Sequence, residues 1–208
     1  MDFDGDIDIL TFKQSGGYVE FHRNMSIENY GNCDHLEFEL ATDCWGEFFE
    51  GLNEYEFNTC ESDPAIENQG GRASSLNRHS GSSSLALDID GDSDMDLILG
   101  DVSFNNLNLL INGGNSQFAS MTSVDTDFPI GNGSTTSAQI ESFPAAFYVD
   151  VNNDDARDLI VSPNTNNNAE DFESIMLFIN SETDENPNFE YYSSNFLQDN
   201  TLDFGTAA

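Results

Sequence analysis

Positive charge is what this sequence most lacks. Its 208 residues carry only 5 Lys and Arg against 39 Asp and Glu, a formal net charge of −34. That balance excludes nucleic acid as a partner, because phosphate backbones are gripped by clustered cations. Here Lys13, Arg23, Arg72, Arg78 and Arg157 are scattered along the chain. Anionic membrane surfaces are disfavoured for the same reason. Long hydrophobic runs are missing too: no stretch approaches the run of about 18 apolar residues that a spanning helix needs. The opening Met1-Asp2-Phe3-Asp4-Gly5 lacks the basic-then-apolar order of a signal peptide. Histidine is scarce: His22, His35 and His79 fall in no His-x-x-x-His pair and beside no Gly-x-Ser-x-Gly elbow, so no general base stands out. The cysteines (Cys33, Cys44, Cys60) form no Cys-x-x-Cys pair and so no zinc pattern.

What is present argues for a packed protein. Hydrophobic residues make up 38% of the chain and aromatics 12%, with 17 Phe, so the acidity does not signal disorder. The carboxylates fall in a pattern. Asp88, Asp90, Asp92, Asp94 and Asp96 occupy positions 1, 3, 5, 7 and 9 of a loop that runs into Leu97-Ile98-Leu99. Asp150, Asn152, Asp154 and Asp158 repeat positions 1, 3, 5 and 9 before Leu159-Ile160-Val161, with Ala156 at position 7. Near the start, Asp2, Asp4, Asp6 and Asp8 fill positions 3, 5, 7 and 9, and position 1 would precede Met1. Each position 9 is followed by an apolar run ending near an Asn: Asp8 to Asn24, Asp96 to Asn112 and Asp158 to Asn180, at intervals of 16, 16 and 22 residues.

Short apolar runs bounded by Gly, Asn, Asp and Ser predict strands rather than helices. Candidates are Ile9-Leu10, Tyr18–Phe21, Leu85–Leu87, Leu97–Leu99, Leu107–Ile111, Phe118–Met121, Phe147–Val149, Leu159–Val161, Ile175–Ile179 and Phe189–Tyr192. The unit reads as strand, acidic loop, then three further strands, which is the size of a propeller blade. The expected fold is all-β: a partial β-propeller of about three four-stranded antiparallel blades. The first repeat covers residues 1–30, a cysteine-containing insertion and linker 31–80, the second repeat 81–135 and the third 136–208, with both outer faces open as in a piece of a larger propeller.

Alternate oxygens on a tight loop suit calcium, a hard cation that takes six to eight oxygen ligands. The expected ligands are Asp4, Asp6, Asp8 and Asp2 in the first loop, Asp88, Asp90, Asp92 and Asp96 with the Asp94 carbonyl in the second, and Asp150, Asn152, Asp154 and Asp158 with the Ala156 carbonyl in the third. An EF-hand is excluded, since position 12 is Thr11, Leu99 or Val161 rather than Glu and the flanks are strands. Paired carboxylates can hydrolyse glycosides, but the acids that stand out here are accounted for as cation ligands, so no catalysis is expected.

The runs "LDIDGDSDMDLILG" and "VDVNNDDARDLIVSP" resemble the FG-GAP/VCBS repeats of integrin-type propellers and exported bacterial proteins. The surrounding stretches are similar to large surface proteins of gliding gram-negative bacteria exported by type IX secretion. The resemblance implies a calcium-stabilised, secreted or cell-surface module for adhesion, for binding an extracellular protein or glycan ligand, or for carrying other modules, one of which could act on polysaccharides. Asp155 stands at position 6 where the family usually has Gly. In an exported protein a disulfide is expected. Cys44 with Cys60 is the first choice, though any pairing of the three cysteines is compatible with the sequence.

Overall fold

The computed structural model describes residues 4–14, 16–60, 81–165 and 172–200. Asp2, most of the linker between the first two repeats, and the chain's last residues lie outside them. Among the described residues the protein is all-β, with four antiparallel sheets, one short α-helix and one 3₁₀ turn at Gln198–Asn200.

The first sheet has three strands, β1 (Ile9–Phe12), β2 (Val19–Asn24) and β3 (Phe38–Trp45), in that order. A five-residue helix, α1 (Ser26–Tyr30), sits between β2 and β3 and ends on Gly31 in the left-handed region. Residues 38–45 fall inside the stretch read as an insertion, yet they supply this sheet's third strand. A hairpin of β4 (Phe48–Glu50) and β5 (Tyr55–Phe57) follows, and Cys44 is bonded to Cys60 while Cys33 remains a free, exposed thiol. Tyr18, Cys44 and Phe49 pack as one buried cluster, with Tyr18 edge-on to Phe49. Gly17 is required there, because a Cβ at its φ of +82° would overlap the Phe49 ring.

Two four-stranded meanders complete the fold. One runs β6 (Ser82–Leu87), β7 (Asp96–Asp101), β8 (Leu107–Asn112), β9 (Met121–Asp125); the other β10 (Pro144–Val149), β11 (Asp158–Pro163), β12 (Met176–Asn180), β13 (Phe189–Ser193). They share a register: Leu87 pairs with Asp96 across β6 and β7, and Val149 with Asp158 across β10 and β11. Each acidic loop therefore closes the first hairpin of its sheet.

β7 is buried along its whole length, which explains its continuous apolar run. A Cβ at Gly100 would overlap the Pro144 carbonyl oxygen, which also accepts a 2.7 Å hydrogen bond from Ser83 Oγ. Phe189 is fully buried, edge-on to both Phe128 and Tyr148.

By compactness the described residues form two units. One draws on residues 4–60, Ser93–Met95 and Ile111–Ser123, the other on Gly81–Asp92, Asp96–Leu110 and residues 124–200. Among the described residues no helix is long and apolar enough to cross a membrane.

Candidate metal centres

The loops share local bonds in pairs. Position 1 caps the turn: Asp88 Oδ1 accepts the Gly91 N–H at 2.8 Å, and Asp150 Oδ1 accepts the Asn153 N–H at 2.7 Å. Position 5 accepts the N–H of position 7, from Asp6 to Asp4 Oδ1 and from Ala156 to Asp154 Oδ1. Such carboxylate-to-backbone bonds let Asp and Asn wind a chain into a tight loop without helix or sheet. Position 6 has positive φ in all three loops: +100° at Gly5, +71° at Ser93 and +71° at Asp155. Position 4 has it in the two loops where it is described, at Gly91 and Asn153. Asp155 thus occupies a left-handed site that Gly would fill without cost and that Asp tolerates better than most residues.

Position 9 has a second task. Asp158 is fully buried, with Oδ2 accepting the Val151 N–H at 3.1 Å and Oδ1 accepting the Asn180 N–H at 2.9 Å. Asp96, equally buried, accepts the Ile89 N–H through Oδ2 at 2.9 Å, and Asp8 Oδ1 accepts the Asn24 N–H at 3.0 Å. Asp158 thus ties the loop's second residue and the end of a following strand to one point, Asp96 holds the loop's second residue, and Asp8 holds the strand end. The Asn residues that end these runs are themselves buried and turn-forming: Asn112 Oδ1 accepts from Gly114 and Ser120, and Asn180 Oδ1 accepts from Glu182 and Asn188. The intervals from Asp8 to Asn24 and from Asp158 to Asn180 are each spanned by one such hydrogen bond.

Two groups of carboxylates converge among the described residues, each with ligand oxygens within 4.8 Å of one another, and either could hold a metal ion. One is Asp88, Asp90 and Asp96 of the second loop. There the Asp90 carboxyl is pushed above the ordinary carboxylate range, first by partial burial and then by the charges of Asp92 and Asp88. Asp94, at position 7, is buried at 2% exposure. The other group is Asp4 and Asp6 of the first loop with Glu28 of α1. Asp6 Oδ2 accepts the Ile27 N–H of the same helix at 3.2 Å.

The third loop is held differently. Asp150 also accepts from the N–H groups of Asp154 and Asp155, and Asn152 Nδ2 donates to Asp154 at 2.8 Å. Beside it Asp184 accepts the Arg157 N–H and Nε at 2.7 Å each, while the Arg157 guanidinium lies 4.5 Å from the Tyr148 ring centre. Burial alone would raise the Asp184 pKa, but the Arg157 bonds and charge and the Tyr148 hydroxyl hold it below the ordinary value. Burial, then the charge and hydrogen bond of Asp184, push Tyr148 up.

Glu28 is absent from the ligands expected from sequence. Its signal was its offset: Glu28 lies four residues past Asn24, as Asp184 lies four past Asn180, and both face an acidic loop. The histidines are otherwise engaged. His22 contacts Glu20 at 3.2 Å, His35 stacks on Tyr30, and His79 lies outside the described residues.

All donors in the two converging groups are oxygens, the set that hard cations select over softer transition metals. No protein-family model, curated protein or solved structure matches the chain.

Proposed function

We propose that the chain is a non-catalytic, calcium-binding β-repeat module of a secreted or cell-surface bacterial protein, with its sheets serving as blades of an FG-GAP/VCBS-type propeller. The observation that carries this reading is the meeting of Asp88, Asp90 and Asp96 within 4.8 Å in a loop that closes a β-hairpin. Like charges at that range favour a cation, and partial burial followed by the charges of Asp92 and Asp88 raises the Asp90 pKa. The shared registers and clamps of the two four-stranded sheets support a repeated unit. A disulfide between Cys44 and Cys60 supports an oxidising compartment.

Calcium then acts on stability. A site filled at about a hundred times its dissociation constant adds about 2.7 kcal/mol, and extracellular sites bind in the region of 10⁻⁴–10⁻³ M. The expected result is a melting temperature that rises with calcium into the millimolar range and falls in chelator, with calcium recovered by elemental analysis. A melting curve indifferent to both, with no calcium bound, overturns the proposal.

A further inference from the structure

A second candidate site lies away from the acidic loops. Within one compact unit, β2, β3, the turn after β3 and residues 116–120 wall a cleft of ≈ 720 Å³. That volume lies within the roughly 300–1,000 Å³ of small-molecule sites. The walls are fixed to each other. Met121 donates its N–H to the Gly46 carbonyl at 2.7 Å, Gly46 bridges Ser120, and the disulfide at Cys44 holds β3 from behind. A cleft fixed in this way spares a ligand the cost of ordering it.

Its lining mixes two kinds of surface. Phe21 and Trp45 give an apolar floor, buried at 6% and 5% exposure. Arg23, Glu47 and Gln117 bring donors and acceptors to the same space. At the rim Phe118 stands 73% exposed, and its backbone is not free to tuck it in, because Asn115 Oδ1 accepts the N–H of both Gln117 and Phe118. Asn115 and Phe118 also exchange backbone bonds at 3.0 Å in each direction. A lone exposed Phe is ordinary; one locked on a rigid turn at the mouth of a preformed cleft is a platform.

We propose that this cleft binds a neutral saccharide. Sugar rings present C–H faces that lie against aromatic rings, and edges dense with hydroxyls that need donors and acceptors together. Charge narrows the class. The chain's net −34 opposes an anionic ligand, and a cationic one is drawn to the acidic loops. Phe118 stacks on the sugar face, and Gln117 and Glu47 bond its hydroxyls. The site does not depend on the calcium reading.

Trp45 is the only Trp in the chain and lines this cleft, so its fluorescence reports on the site directly. The test titrates the 208-residue chain, in calcium, with neutral glucose-, galactose- and mannose-based trisaccharides, following Trp45 emission and amide shifts. At least one should give saturable binding with a dissociation constant below about 10 mM. Phe118→Ala and Gln117→Ala, both at exposed positions, should each weaken it at least about tenfold, close to 1.4 kcal/mol, with melting temperature unchanged. Three results overturn the proposal: no saturation with any of the neutral sugars, binding that both variants leave intact, or preference for sialyllactose or a short peptide.

Discussion

Asp90 belongs to a converging group of carboxylates that could hold a metal ion, where partial burial and then the charges of Asp92 and Asp88 oppose its ionised form. Its pKa is raised, so the folded state holds a proton more tightly than the unfolded chain does. Stability without metal is therefore lost as pH rises from the ordinary carboxylate value of 3.8 through the folded value, and at neutral pH the full penalty is present. Asp90→Asn removes that penalty and also one carboxylate of the proposed calcium site. The expected outcome is a sign inversion: a higher melting temperature than the parent in chelator and a lower one in millimolar calcium. Asp184 has the opposite sign. Its pKa is lowered, so its contribution is complete above 3.8 and disappears as pH falls through the folded value. Asp184→Asn should lower the melting temperature at pH 7, with the difference closing at low pH. The drop should stay below about 1 kcal/mol, because Arg157 is 52% exposed and solvent screens the pair. Equal shifts at both pH values would mean that the bond to Tyr148 or the packing, not charge, carries the effect.

In the third loop-and-hairpin element the position-9 carboxylate clamps two backbone N–H groups, whereas in the second Asp96 both accepts the Ile89 N–H and converges with Asp88 and Asp90. Asp158→Ala strips the partner from two backbone N–H groups at a fully buried point, and each orphaned donor costs about 1–3 kcal/mol. The loss should be about 2–5 kcal/mol and the same with calcium or with chelator. Asp88→Ala, on the half-buried rim of the second loop, should lose stability mainly when calcium is present. Thermal melts of both variants under both conditions separate the roles, and a calcium-dependent loss at Asp158 would refute the clamp. The element's outline was legible in sequence because spacing encodes it: the intervals from Asp8 to Asn24 and from Asp158 to Asn180 are each the reach of one hydrogen bond. The task of position 9 was not legible, since an Asp that accepts two amide protons and an Asp that faces a cation are the same letter. The first sheet's third strand was hidden for another reason. In Phe38-Glu39-Leu40 all three side chains are exposed, so β3 begins without a buried face to mark it. β9 was misplaced by three residues because the Asn115 turn captures Phe118, and local side-chain-to-backbone bonds outcompeted an apolar run. Glu28 was missed because α1 carries it to the loop from a distance in sequence.

On the scale of the whole molecule, apolar rows stand exposed on a sheet face in each unit among the described residues. In the first unit Ile9 pairs with His22 and His22 with Leu40, so Ile9 and Leu40 share a face, on which they are 40% and 54% exposed. In the second unit Phe147 and Val149 stand on one face of β10, 50% and 49% exposed. Strands alternate their side chains, so these are rows on a surface rather than isolated residues. A blade covers such a row with its neighbour, and each uncovered Å² of apolar surface forfeits about 25 cal/mol. A net charge of −34 opposes association at low salt, but screening shortens its range to about 8 Å at physiological ionic strength. The chain should therefore be monomeric at low salt and self-associate reversibly as salt and concentration rise. Phe147→Thr with Val149→Thr, which keeps β-branched, strand-compatible side chains on β10, should shift that association to higher concentration without lowering the melting temperature. Sedimentation velocity at two salt concentrations decides the matter. A parent chain that stays monomeric at about 100 μM in physiological salt, as the double variant should, would mean that these rows tolerate water and that no neighbouring sheet is needed to cover them.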